Sequence, residues 1–145
     1  MQVSMKCSVS VHCLIYIYEA ADSVRVTSAM LAQSTGCNPV VIRSLLSALK
    51  KAGIIQVQRG TGGAVLTRPP KEITLYQIYS ALEPNGIDGL IGIHACSGRE
   101  CPIARNIGKV LRRSYGEIED SIRRTMEGIT LQSMIDDFHS QLQQE

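Results

Sequence analysis

Five cysteines and three histidines carry the most versatile chemistry in this 145-residue chain, and three of them, His94, Cys96 and Cys101, fall within eight positions. Imidazole nitrogen and thiol sulfur at that spacing leave three readings open. The first is a thiol switch. Cys101 precedes Pro102 at a helix start, where the positive end of the helix dipole favours a thiolate, and Cys96 could act as the resolving partner of a disulfide. The second is a metal or iron–sulfur site with candidate ligands His12, His94, Cys96 and Cys101, His12 or Cys13 coming from a partner subunit. In the third, Cys96 is an incidental loop thiol and Cys101 only a helix-start residue. Cys7, Cys13 and Cys37 read as core or turn thiols. His12, on an apolar stretch, reads as a buried, hydrogen-bonded histidine, and His139 as a surface residue.

A second chemistry is electrostatic. The chain has a net charge of only +2, but the charge is unevenly placed. From Ser23 to Lys71 there are seven basic residues, Arg25, Arg43, Lys50, Lys51, Arg59, Arg68 and Lys71, and no acidic one. The remainder holds eight basic and thirteen acidic residues, a balance of −5. An acid-free basic block suits a polyanion, because each cation placed near a phosphate releases a condensed counterion.

The elements that must position these groups can be read from periodicity and caps. Cys7 to Ala21 satisfies both a helical stripe and an alternating strand, and helix is preferred because the next two segments of the chain read as helices. Thr27 or Ser28 caps a short helix that Gly36 ends. Asn38 and Pro39 start a second helix, to about Ala52, whose Ile42, Leu45, Leu46 and Leu49 face a core. Ile54–Val57 and Ala64–Leu66 read as two strands around Arg59-Gly60-Thr61-Gly62-Gly63, whose glycines allow positive φ and a tight hairpin. Arg68-Pro69-Pro70 reads as a short extended exit. Thr74 and Gln77 form a capping box, and Ile73 and Ile78 a hydrophobic staple, for a helix ending near Glu83. Residues 85–100 form a Gly-rich loop. A long helix begins at Pro102, with Ile103, Ile107, Val110, Leu111, Ile118, Ile122 and Met126 on one seam and a kink allowed at Gly108 or Gly116. Thr130 caps a last helix with Leu131, Met134, Ile135, Phe138 and Leu142 on one face.

A short helix, a Gly turn, a capped second helix and a Gly-rich basic hairpin make a winged helix-turn-helix. A helix of this kind fits the major groove and meets base edges near its start. The outer face then offers Asn38, Val40, Arg43, Ser44 and Ser47, with Lys50 further along. Arg43 can pair bidentately with guanine, Val40 can meet a thymine methyl or pack on the neighbouring helix, and Asn38 is occupied as a cap. Thr27 and Ser28, at the start of the preceding helix, can hold a phosphate. At the hairpin tip Arg59 suits the negative potential of a narrow minor groove, and Thr61 adds little bulk beside it.

The sequence resembles the Rrf-two family of bacterial transcription regulators. The resemblance runs through Ser10-Val-His12-Cys-Leu14, Ile42-Arg43-Ser44-Leu45-Leu46, Leu49-Lys-Lys-Ala-Gly-Ile54, the wing at residues 59–63, Arg68-Pro69-Pro70-Lys71-Glu72-Ile73-Thr74-Leu75 and Cys101-Pro102-Ile103. The Cys101 to Ile107 segment is most similar to the YwnA-like branch. The resemblance implies a winged-helix domain, a long dimerising helix and repression at a partly palindromic operator. Several members sense through a cluster held by three cysteines in the loop before the long helix. This loop has only Cys96 and Cys101, so a site of that kind cannot be built here, and the cofactor stays open.

The expected fold is mainly α with a small β-hairpin: a winged helix-turn-helix over 1–83, a cysteine-containing loop over 84–101 and dimerisation helices over 102–145. A homodimer is expected because nothing inside one small domain would cover the seam of the long helix. Without a signal peptide or an apolar run of about 18 residues, the expected place is the cytoplasm. No phosphate-binding loop, nucleophile–base pair or dinucleotide fingerprint points to an enzyme. The rival reading is a winged-helix protein-interaction adaptor that does not bind DNA.

Overall fold

The computed structural model describes residues 4–58, 63–98 and 100–145. Helix α1 spans Lys6–Glu19, and its Ser10, Cys13, Leu14 and Ile17 are buried, the three- and four-residue spacing of one helical face. That face settles the ambiguity in favour of helix. Helix α2 spans Ser28–Thr35 and is capped by Thr27, whose hydroxyl oxygen accepts the Met30 N–H at 3.3 Å. Gly36 ends it in the left-handed region at φ 71°, where a side chain would be strained. Helix α3 spans Pro39–Lys51, with Asn38 Oδ1 accepting the Val40 N–H at 2.8 Å. Ile42, Leu45 and Leu49 point into the core, and Leu46 packs on its margin.

Strands β1 (Ile55–Val57) and β2 (Ala64–Leu66) pair antiparallel in the register Ile55 with Leu66, Gln56 with Val65 and Val57 with Ala64. The tip that carries Arg59 and Thr61 lies outside the described residues. Gly63 departs from the sequence expectation. Among the described glycines, positive φ occurs at Gly36, Gly53, Gly86 and Gly89, and not at Gly63. Gly63 is needed for space: a Cβ there would overlap the backbone nitrogen and carbonyl oxygen of Val26. The Ala64 N–H donates to that same carbonyl at 3.3 Å, which moors the wing to the segment before α2.

The exit from the wing is also tighter than expected. Pro69 is extended, but Pro70–Glu72 forms a 3-10 turn with Pro70 buried. Helix α4 (Leu75–Leu82) starts with the expected capping box: Gln77 N–H donates to Thr74 Oγ1 at 3.2 Å, and Thr74 N–H to Gln77 Oε1 at 3.0 Å. Ile73 and Ile78, the staple pair, are both fully buried.

Helix α5 runs unbroken through Gly108 and Gly116 from Pro102 to Gly128, about 40 Å at 1.5 Å per residue. Helix α6 (Leu131–Leu142) returns the chain to the winged domain, capped by Thr130. A short backbone bridge makes that return. Leu75 N–H donates to Ile129 O and Leu131 N–H to Ile73 O, both at 2.8 Å, so the starts of α4 and α6 lie side by side. Leu131 and Ile135 are fully buried in the same cluster as Leu14, Ile17, Ile42, Leu49 and Ile78. The last helix therefore completes the core of the winged domain as well as following the long helix.

Ile135→Ala should lower unfolding free energy by about 2–5 kcal/mol, through lost burial and the cavity left behind. Urea unfolding followed by circular dichroism at two protein concentrations checks this. A loss below about 1 kcal/mol, within the ordinary range of surface changes, would mean that α6 is not held in the core.

Candidate nucleic-acid interface

Once α3 has turned Ile42, Leu45 and Leu49 inward, its other face is open. Asn38, Val40, Arg43, Ser44, Ser47 and Lys50 are all exposed. Val40 is 63% exposed, so of its two expected roles the structure leaves the outward one available and does not bury it against a neighbouring helix. Asn38 is engaged as the N-cap. Lys50 and Lys51 sit in the last turn of α3, where cations complement the helix dipole and remain presented to solvent. Helices α2 and α3 pack closely, with Gly36, Cys37 and Asn38 making the turn between them. Thr27, exposed, and Ser28, half-buried, stand at the start of α2.

The seven cations of the basic block do not play one role. Arg68 is turned inward as a clamp. Its guanidinium donates to Gly53 O at 3.0 Å, to Glu72 O at 3.3 Å and to Gln77 Oε1 at 3.1 Å. It thereby joins the turn after α3 to the capping box of α4. Sequence reasoning counted it as part of a basic surface, because composition does not distinguish a cation facing water from one facing carbonyls.

The expected sensing residues are dispersed. His12 is exposed rather than buried, because it lies on the side of α1 away from the core, and its Nε2 meets Ser34 Oγ at 2.9 Å. His139 is exposed as expected and pairs with Glu19 at 2.7 Å. Cys13 is fully buried; burial first, and then neighbouring Cys37, push its pKa up to about 11. Cys96 and Cys101 are exposed, and His94 Nε2 lies 3.2 Å from Cys96 Sγ. This contact joins residues at an i, i+2 spacing within the loop. Near Tyr76, Arg123 bonds Asp88 at 2.8 Å and Asp120 at 3.0 Å, and Glu119 accepts the Gly89 N–H at 2.8 Å. These contacts pin the loop after α4 to the C-terminal half of α5.

A capped helix pair, a short antiparallel wing and an open α3 face with no acidic residue define a winged-helix DNA-binding protein. Comparison with known proteins identifies which kind. The Rrf2 family model, described as an iron-dependent transcriptional regulator, matches residues 3–137. The chain belongs to the Rrf2 family and is a DNA-binding transcription regulator. It is 30% identical over 125 residues to YwnA of Bacillus subtilis (strain 168), classed as an HTH-type transcriptional regulator, covering 86% of this chain and 87% of that one. The crystal structure of a Lactobacillus plantarum protein classed as a transcriptional regulator superposes with a TM-score of 0.78 at 30% identity, covering 93% and 90% of the two chains. CymR, the global cysteine regulator of B. subtilis, shares the fold with a TM-score of 0.69 at 21% identity, over 94% and 97%.

The family's description raises iron, and the side chains test it. Among the described residues no three His, Cys, Asp or Glu side chains come together in a group that could hold a metal ion. His94 and Cys96 supply two donors, while His12 is engaged with Ser34 on α2. The donor set of one chain does not fit an iron or cluster site.

The division of cations predicts opposite mutant behaviour. Arg68→Ala should destabilise the fold by about 1.5–3 kcal/mol, as loss of charge-assisted hydrogen bonds does. Arg43→Ala should stay within about 0.5 kcal/mol of the parent. Urea unfolding of both variants checks this, and equal losses would show that the clamp is not what holds Arg68.

Proposed function

We propose that this regulator binds duplex DNA as a homodimer and represses from a partly palindromic operator in the cytoplasm. The observation that carries the dimer is α5. None of its 27 residues is buried, although Ile103, Ile107, Val110, Leu111, Ile118, Ile122 and Met126 line one seam. Ile103 is 72% and Val110 58% exposed. Apolar surface on this scale calls for a partner, and a two-fold pair of such helices covers both seams with one contact. The same symmetry sets two copies of α3 one DNA turn apart, about 34–36 Å.

In this reading residues 1–83 bind DNA, residues 84–101 form the connecting loop and residues 102–145 dimerise, α6 also closing the winged core. The start of α3 enters the major groove. Arg43 reads guanine, Val40 meets a thymine methyl, and Asn38, Ser44, Ser47 and Lys50 line the contact. Thr27 and Ser28 approach a phosphate at the start of α2. Arg59 and Thr61 of the wing enter the minor groove.

Measurements of assembly and of DNA binding test the proposal. Sedimentation equilibrium should find a dimer, and Ile103→Asp with Val110→Asp should yield a folded monomer; a monomeric parent at micromolar concentration would refute the assembly. Selection from random duplexes should return a palindrome. Affinity for it should fall roughly a thousandfold between about 50 and 200 mM salt if about six phosphates are contacted. Arg43→Ala should remove about 1–3 kcal/mol of discrimination at one base pair of each half-site. Selection without symmetry, or a footprint indifferent to Arg43, would overturn the docking.

A further inference from the structure

Among the described residues, the loop before α5 places one thiol against a base. His94 Nε2 lies 3.2 Å from Cys96 Sγ, and both side chains are exposed. Residues 92–98 form neither helix nor strand, so solutes reach the pair freely. An imidazole in that position can accept the thiol proton, and the thiolate is the form that attacks electrophiles. Two thiols of α1, the buried Cys13 and the half-buried Cys7, are in the opposite situation. Cys13 is sealed in the core with its pKa raised, and the Cys7 thiol is pushed up by burial and then by the Glu83 carboxylate.

Cys101 is exposed at the N-cap of α5, and its side chain makes no capping bond. The chain folds back there. Cys101 N–H donates to Gly98 O at 3.2 Å, and a Cβ on Gly98 would lie 3.8 Å from Cys101 Cβ. Gly98 is two residues from Cys96, a span of at most about 7 Å. Both cysteines thus belong to one short stretch of chain, and a disulfide requires their Cα atoms to come within about 7 Å of each other.

We propose that Cys96 is an oxidation site for small hydroperoxides, with His94 as its proton acceptor and Cys101 as the resolving thiol. His94 takes the Cys96 proton, and the thiolate attacks one peroxide oxygen. The O–O bond breaks and Cys96 becomes a sulfenic acid. The leaving oxygen takes the proton from the imidazolium and departs as an alcohol, or as water from hydrogen peroxide. The Cys101 sulfur then attacks the sulfenic sulfur, and its proton leaves with the displaced hydroxide as water. The peroxide gains two electrons and the two thiols together lose two, forming one disulfide. This reverses the roles the sequence suggested, because the base lies beside Cys96. The bond tightens the entry to α5, so the consequence for regulation rests on the dimer reading above, whereas the chemistry does not.

The test uses the reduced full-length protein without DNA, so its failure is separable from failure of the DNA-binding reading. One equivalent of cumene hydroperoxide is added, the reaction is quenched with iodoacetamide, and peptides are read by mass spectrometry. A Cys96–Cys101 disulfide within one chain is expected. In Cys101→Ser, dimedone should trap Cys96 as the sulfenic acid. In His94→Ala the initial rate of Cys96 oxidation should fall about tenfold or more, as loss of a general base does, with an unchanged circular dichroism spectrum and partial rescue by added imidazole. Oxidation of Cys96 no faster than that of Cys101, a rate indifferent to His94, or a bond formed between protomers would overturn the proposal.

Discussion

The pairing of Ile73–Leu75 with Ile129–Leu131 holds the molecule's two halves together. Its two backbone hydrogen bonds set the first turns of α4 and α6 next to each other. Ile73 and Leu131 enter the core on either side of that bridge, and Ile78 and Ile135 lie one helical turn further on. With both helix starts fixed, the end of α5 is held as well, because Gly128 and Ile129 lead directly into the bridge. The Arg123 contacts to Asp88 and Asp120, and the Glu119 contact to Gly89, then align the C-terminal half of α5. The other half is left with its apolar seam uncovered. The long helix is thus anchored at one end by the fold and presented at the other.

The same economy governs the winged-helix half. A helix can offer polar and cationic groups to a groove only if its apolar side is buried elsewhere, and α3 does this with Ile42, Leu45 and Leu49. Around it the molecule uses Arg68 for construction and leaves Arg43, Lys50 and Lys51 exposed. Gly63 has a comparable role in the wing. The backbone of β2 can touch Val26 only because no side chain intervenes. The wing is therefore positioned by an atom that is missing, together with the Ala64 to Val26 hydrogen bond.

The cysteines show how far residue type falls short of residue role. Cys13 and Cys96 are chemically identical. One is enclosed by aliphatic side chains that disfavour its charged form, and the other is exposed beside an imidazole. Reactivity is set by the surroundings.

Much of this architecture was legible in the sequence, because it is set locally. Caps at Thr27, Asn38, Thr74 and Thr130, the glycine stop at Gly36 and the three- and four-residue spacing in α3 each act within a turn or two. They located the helices and the exposed face of α3. The charge division was equally visible, since it needs only composition. What the sequence could not supply depends on residues distant along the chain. It missed the inward turn of Arg68, the exposure of His12, the contact of Gly63 with Val26 and the 3-10 turn at Pro70–Glu72. It also left α6 among the dimerisation helices, although Leu131 and Ile135 lie in the winged core. Periodicity tells which side of a helix is apolar, but not what covers it. Only the tertiary structure, by bringing Thr130 beside Thr74, decided that the core covers α6 and leaves the seam of α5 open.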